Sequence, residues 1–460
     1  IMSRTDGLEF ESGNTPLDVA FSPIIEAKGW TDAPQGAKEF TLLLSQGYIR
    51  RPALIIANQD GIYDTVLIYR SKKDDQPLAV LPRDVFVPDD GIKHDAHIPC
   101  NRSMRVLELE PDGSRLKMWV SAAMDIQNDD VWHPKSLHQE ITEHVGPVPP
   151  TSMICIQDAQ LTTKCMNACW YQSADWQSSA LNYLIANDGF EVVLSHFHSV
   201  DLQAHTFIRH MKHKFDTKLD EETYAKFMED IYIQTDYYLG KFLHLLDEGW
   251  TVIILSDHAL VCPVNNPPML GDVMGVNVRV MQELGFTVLK TDENGNELRE
   301  IDWSKTRAVA VRGNHIYLNI KGRDKYGIVE PADQYELEEE IMTALYGYRH
   351  PETNHRAVAM ALRNRDAVLL GMGGPECGDI IYWTAEGYNY DHCDGLSTTY
   401  GYADTSLSPI FIAAGKGIKK GFTTSRIIRQ VDVAPTLSVL GGVRMTHQCE
   451  GAPAYQIFDI

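Results

Sequence analysis

From about residue 37 to residue 148, apolar and polar positions alternate in short stretches broken by turn residues, the pattern of half-buried strands. Ala53-Leu54-Ile55-Ile56-Ala57, the turn Asp60-Gly61, and Thr65-Val66-Leu67-Ile68-Tyr69 predict a hairpin. Met104-Arg105-Val106-Leu107-Glu108-Leu109, Pro111-Asp112-Gly113 and Leu116-Lys117-Met118-Trp119-Val120 predict a second one. Pro147, Pro149 and Pro150 close this stretch. The pattern therefore predicts an irregular polar lead-in at 1–35 and a β-rich cap module at 36–150.

Beyond residue 150 the period changes. A helix ending in Ala180-Leu181-Asn182-Tyr183-Leu184-Ile185 precedes a predicted strand, Phe190-Glu191-Val192-Val193-Leu194-Ser195. A long amphipathic segment at about 222–247 leads into the apolar run Thr251-Val252-Ile253-Ile254-Leu255. Further strands are expected at Ile380-Ile381-Tyr382-Trp383 and Ile410-Phe411-Ile412-Ala413-Ala414, and helices at 334–345 and 433–440. Helices alternating with buried strands predict an α/β class for 151–460, a layered core with a mostly parallel sheet. No internal repeat interrupts the pattern.

Charge narrows the function classes. The 460 residues carry 41 basic and 63 acidic side chains, a net charge of −22. Coating of bulk nucleic acid needs clustered Lys and Arg, which this balance disfavours. An anionic substrate held by a metal stays open, because a bound dication dominates its own site. The length suggests two to four domains or one large enzyme core with an insertion. A 44% hydrophobic and 23% charged composition excludes global disorder. No run reaches the ~18 apolar residues of a membrane helix, so no membrane span is expected. The eight cysteines are too dispersed for a disulfide scaffold, and Cys165 and Cys169 read as buried thiols.

Two segments carry candidate chemistry. In Ser195-His196-Phe197-His198-Ser199-Val200-Asp201-Leu202-Gln203-Ala204-His205, the Asp201-x3-His205 spacing puts a carboxylate and an imidazole on one helix face. That donor set suits a borderline cation such as zinc, and equally a plain hydrogen bond between an Asp and a surface His. In Ile253-Ile254-Leu255-Ser256-Asp257-His258-Ala259, an apolar strand delivers charged groups to its C-terminal end, where open α/β sheets place ligands. His94 and His97 read as solvated loop residues, and Trp119, Trp132 and Trp170 as pocket or core aromatics.

The order Asp201-x3-His205, helix, strand, Ser256-Asp257-His258 resembles the alkaline phosphatase superfamily, in its type I phosphodiesterase/nucleotide pyrophosphatase branch. The stretches from Gly313-Asn314-His315 to Gly322-Arg323, from Gly378-Asp379 to Gly387-Tyr388, and from Pro409 to Gly415 are similar to segments of bacterial members. The tail Val431-Asp432-Val433-Ala434-Pro435-Thr436-Leu437 with Gly451 is similar to that superfamily's closing helix. The likeness runs over about residues 175 to 460.

The resemblance implies an alkaline phosphatase fold and two divalent metal ions, expected to be zinc. Asp201 and His205 would bind one, together with a further His near the C-terminus. Asp257 and His258 would share the other. The place of that further His is held by Tyr400 by spacing, and His392 is the nearest histidine. Ala204 and Ala259 stand where the family has Gly. The implied activity is hydrolysis of a small phosphorylated substrate, a phosphodiester or nucleotide pyrophosphate. The family's nucleophile segment is not recognisable, and Thr15 and Thr31 match it poorly, so an upstream segment or a partner chain is expected to complete the site. The alternative, from another class, is a non-catalytic binding or assembly subunit that keeps the fold without the nucleophile.

Overall fold

The structure, a computed structural model, describes residues 2–5, 8–12, 20–44, 47–88, 99–150, 158–204, 207, 219–259, 279–311, 314–385, 408–445 and 447–459. The chain divides into two compact units, residues 1–250 and 251–460.

The first unit opens with β1 (Met2–Thr5), β2 (Leu8–Ser12), β3 (Ala20–Phe21) and β4 (Ile25–Glu26), so the lead-in carries short strands. β5 (Lys38–Leu44), β6 (Ile49–Ala57), β7 (Tyr63–Ile68) and β8 (Ala79–Pro82) continue as an antiparallel meander. β9 (Phe86–Val87), β10 (Cys100–Asn101), β11 (Met104–Leu109), β12 (Leu116–Val120) and β13 (Met124–Asp125) complete its strands. Both expected hairpins form, β6 with β7 and β11 with β12. Their inward residues Ile55, Val66, Ile68, Met104, Val106, Leu116 and Met118 fill one core shared by two sheets. Gly113 sits at φ 66° in the second hairpin's turn, where a Cβ would lie 2.9 Å from the Tyr63 ring. Only glycine meets both demands.

Two helices, Asn167–Asn187 and Glu221–Gly240, lie against each other in the same unit. The second starts where Asp220 caps it by accepting from Thr223 N at 2.8 Å. The pair is laced by Gln234 Nε2 donating to Asn167 Oδ1 at 2.7 Å and Tyr237 OH donating to Asp175 Oδ1 at 2.6 Å. A π-helical turn, Thr162–Met166, precedes the first helix and holds Cys165, which is buried along with Cys169. Burial pushes the Cys165 thiol well up, so it stays protonated and unreactive. Trp119 and Trp170 are core residues, Trp119 stacked on Phe86 with centroids 5.9 Å apart.

The second unit contains β14 (Thr251–Leu255), β15 (Leu289–Thr291), β16 (Glu297–Ile301), β17 (Ala308–Val311), β18 (His315–Leu318), β19 (Val358–Arg363), β20 (Ile380–Thr384) and β21 (Phe411–Gly415). Its largest sheet runs β17-β18-β20-β19 and is antiparallel throughout. The helix Gln334–Gly347 covers it with Leu337, Ile341 and Leu345. Asp379 locks the sheet's end: it accepts from Leu318 N at 2.7 Å and from Arg323 Nη2 at 2.8 Å. The carboxylate in turn raises the Arg323 pKa above its ordinary value.

These sheets correct the expected fold class. The layered core with a mostly parallel sheet, resembling the alkaline phosphatase fold, is not what forms. Among the described residues the sheets are small and mostly antiparallel, with β2–β12 a parallel pair. β14 and β21, expected as members of a mostly parallel sheet, pair antiparallel, Thr251 against Gly415 and Leu255 against Phe411. The run 190–195 is not a strand, and its Val192 and Leu194 are exposed. Apolar runs of five or six residues state how much a segment buries, not the direction of its neighbour. Direction is decided by which strands meet and how the chain returns between them.

Burial of the His315 ring in this sheet is expected to make stability depend on pH. Gly378 N donates to His315 Nδ1 at 3.2 Å, and a Cβ at Gly378 would stand 2.8 Å from Ile316 O. Burial lowers the His315 pKa below its ordinary 6.5, so the folded ring resists a proton that the unfolded ring accepts. The unfolded state then binds more protons, and stability rises with pH. This contribution is expected to be complete above about pH 6.5 and to fade as pH falls below it. Urea midpoints compared at pH 7.5 and 5.5 should converge when His315→Gln removes the titrating group. An unchanged pH slope in that variant would refute the assignment.

Candidate metal centre

The apolar run of β14 ends at Leu255, and the chain leaves the strand through Ser256, Asp257 and His258. Ser256 Oγ donates to His258 O at 2.5 Å, and His258 N donates to Asp257 Oδ1 at 3.1 Å, which folds the segment into a tight turn. The Gln430 side-chain amide donates to Asp257 O and ties this turn to the C-terminal segment. Asp257 reaches into solvent with its side chain 77% exposed, while His258 is 25% exposed.

The His258 ring is oriented by its own loop. Its Nδ1 lies 2.9 Å from Ala259 O. A carbonyl only accepts, so in the neutral ring Nδ1 carries the hydrogen and Nε2 the lone pair. Nε2 faces Asp257 Oδ2 at 3.6 Å, beyond hydrogen-bonding range. Around a tetrahedral dication with donors at about 2.0–2.2 Å, two ligand atoms stand about 3.4 Å apart. A ring whose second nitrogen is held by a backbone carbonyl is also the usual arrangement of a metal-ligating histidine. The pair fits a divalent ion in donor chemistry and in spacing.

Asp201 stands in the first unit, on the helical residues 199–204. Its Oδ2 accepts from His198 Nε2 at 2.8 Å. Sequence reading paired Asp201 with His205 and passed over His198, which stands just before the helical residues 199–204. His205 and His392, with Tyr400, Thr15, His94 and His97, lie outside the described residues. Thr31 is an exposed loop residue. Among the described residues no group of three or more His, Cys, Asp or Glu is placed to hold a metal ion. The 257–258 pair therefore supplies two donors.

Compared with protein-family models, curated proteins and solved structures, the chain matches none. Among the described residues no helix is long and apolar enough to cross a membrane.

Proposed function

We propose that the chain is a divalent-metal-dependent hydrolase of phosphoesters, acting on a phosphodiester or a nucleotide pyrophosphate. What carries the reading is the 257–258 turn. There an oriented imidazole and an exposed carboxylate share a spacing that suits a tetrahedral dication and does not suit a hydrogen bond. Asp257 and His258 would hold one ion, Asp201 and His205 a second, with His392 a further ligand. When bound, such an ion supplies a Lewis acid for a phosphoryl oxygen and lowers the pKa of an attacking hydroxyl or water. The chain's own part is to fix the ligands: Ala259 O sets the His258 tautomer, and His198 holds one oxygen of Asp201. No nucleophile is assigned.

The test is metal content and turnover measured on one preparation. The purified chain should carry zinc or a similar ion and hydrolyse bis-p-nitrophenyl phosphate. A chelator should stop turnover, and added zinc should restore it. Metal uptake without hydrolysis would favour a non-catalytic binding or assembly subunit. A chain that takes up no metal would refute both ligand assignments.

A further inference from the structure

Residues 364–378 form a loop that is tightly bonded inside and apolar outside. Asn364–Ala367 is a single helical turn, and Val368–Leu370 continue it as a 3-10 turn that ends at Gly371, in the left-handed region at φ 76°. Asn364 holds the return of the chain. Its Nδ2 donates to Gly374 O at 2.9 Å and to Gly378 O at 2.8 Å, and its Oδ1 accepts from Gly374 N at 2.9 Å. Met372 N donates to Ala367 O at 3.1 Å, and a Cβ at Gly373 would stand 2.4 Å from Asn364 O, so the two limbs touch. Ala367 is fully buried, yet the next three side chains are not: Leu369 is 90% exposed, and Val368 and Leu370 are each more than half exposed. Among the described residues no other three consecutive large apolar side chains are all exposed. Such a patch gains by being covered, and the bonding of the loop fixes it outward, so little ordering is left to cost affinity when a partner arrives.

We infer that Val368, Leu369 and Leu370 form the centre of a contact between two copies of this chain, related by a two-fold axis. Charge selects that partner. Beside the apolar triplet stand Arg365 and Asp366, exposed residues of opposite sign whose Nε and Oδ1 are 3.7 Å apart, too far for a hydrogen bond. In a two-fold contact the same patch meets itself, so Arg365 of one copy can face the partner subunit's Asp366 and the reverse. Tyr335, also more than half exposed, has the Arg365 guanidinium carbon 5.7 Å from its ring centroid and adds an aromatic to the rim. An anionic membrane would call for clustered Lys and Arg, whereas this flank carries one charge of each sign and the chain a net −22.

Sedimentation velocity of the full chain from about 1 to 100 µM tests this. The parent should form a dimer in that range. Leu369→Asp, which sets a charge at the centre of the contact from both sides, should weaken the dimer by about 100-fold or more. Arg365→Asp and Asp366→Arg should each be monomeric alone and form a heterodimer when mixed, which a merely local effect on the loop would not produce. All three positions are exposed, and thermal melts matching the parent's check that the variants are folded. A parent that stays monomeric at the highest concentration overturns the inference, and co-flotation of that monomer with phosphatidylcholine vesicles would assign the patch to a lipid surface instead. A parent dimer that Leu369→Asp leaves intact overturns it as well, because the copies then meet elsewhere.

Discussion

On the proposed metal-dependent hydrolysis, Asp257→Ala is expected to lower phosphodiester turnover by about a hundred- to a thousandfold and to release one equivalent of metal. The magnitude is that of losing the charge stabilisation a bound Lewis acid gives a phosphoryl transition state, several kcal/mol at about 1.4 kcal/mol per tenfold. The side chain is 77% exposed, so the substitution removes little packing. The bond it does remove, from His258 N at 3.1 Å, is local to the turn. The unfolding midpoint should therefore stay close to the parent's while metal and activity vanish together. Asp257→Asn separates charge from shape: it keeps the acceptor for His258 N and loses the anionic donor. If that variant retains full metal content, Asp257 is a turn residue and not a ligand.

Gly451→Ala is expected to be among the most damaging single-methyl additions in the second unit. A Cβ at Gly451 would lie 1.7 Å from Val431 O and 2.8 Å from Asp432 N. Both are backbone atoms, so no rotamer change relieves the overlap. Asp432 is the hub of that region. Its carboxylate accepts from Arg429 N and Ala452 N, each at 2.9 Å, and its carbonyl accepts from Thr436 Oγ1 at 2.6 Å. Thr436 Oγ1 accepts in turn from Ala454 N at 2.9 Å. Burial alone would raise the Asp432 pKa, but these amides and the Arg429 guanidinium outweigh it and hold it below its usual value. Separating 451 from 431 breaks this lattice, and a destabilisation of about 3 kcal/mol or more is expected. Because Gln430 belongs to the displaced segment and donates to Asp257 O, the metal affinity proposed for the 257–258 turn should fall as well. Denaturant unfolding and cobalt binding measured side by side would show both losses; a parent-like melt would mean that 431 and 451 do not pack as described.

Much of the local structure was legible in the residue pattern. Period-2 alternation around Asp60-Gly61 and Asp112-Gly113 located both hairpins, because a hairpin is specified by its turn and by which face of each strand is buried. The helices expected over 334–345 and 433–440 form as Gln334–Gly347 and Val433–Leu440. The run 190–195 failed for the reason that the run at 251–255 succeeded: strand formation needs a partner. Thr251–Leu255 has β21 along its length, whereas Val192 and Leu194 are left in solvent. Asp257 and His258 stood out in the sequence because charged residues abruptly follow an apolar strand.

The sequence by itself determined which segments bury one face, where hairpins turn, and which carboxylates and imidazoles sit at the ends of those segments. Each of these depends on residues within a few positions of one another, so side-chain period and turn chemistry suffice. Only the tertiary structure decided that β14 and β21 run antiparallel, that the Gln430 side chain reaches Asp257 O, and that the Asp432 carboxylate receives Ala452 N. Strand direction is a property of a pair, and the orientation of a side chain is a property of everything packed around it. Neither is written in any single stretch of chain, because the energies that set them arise only when distant segments come into contact.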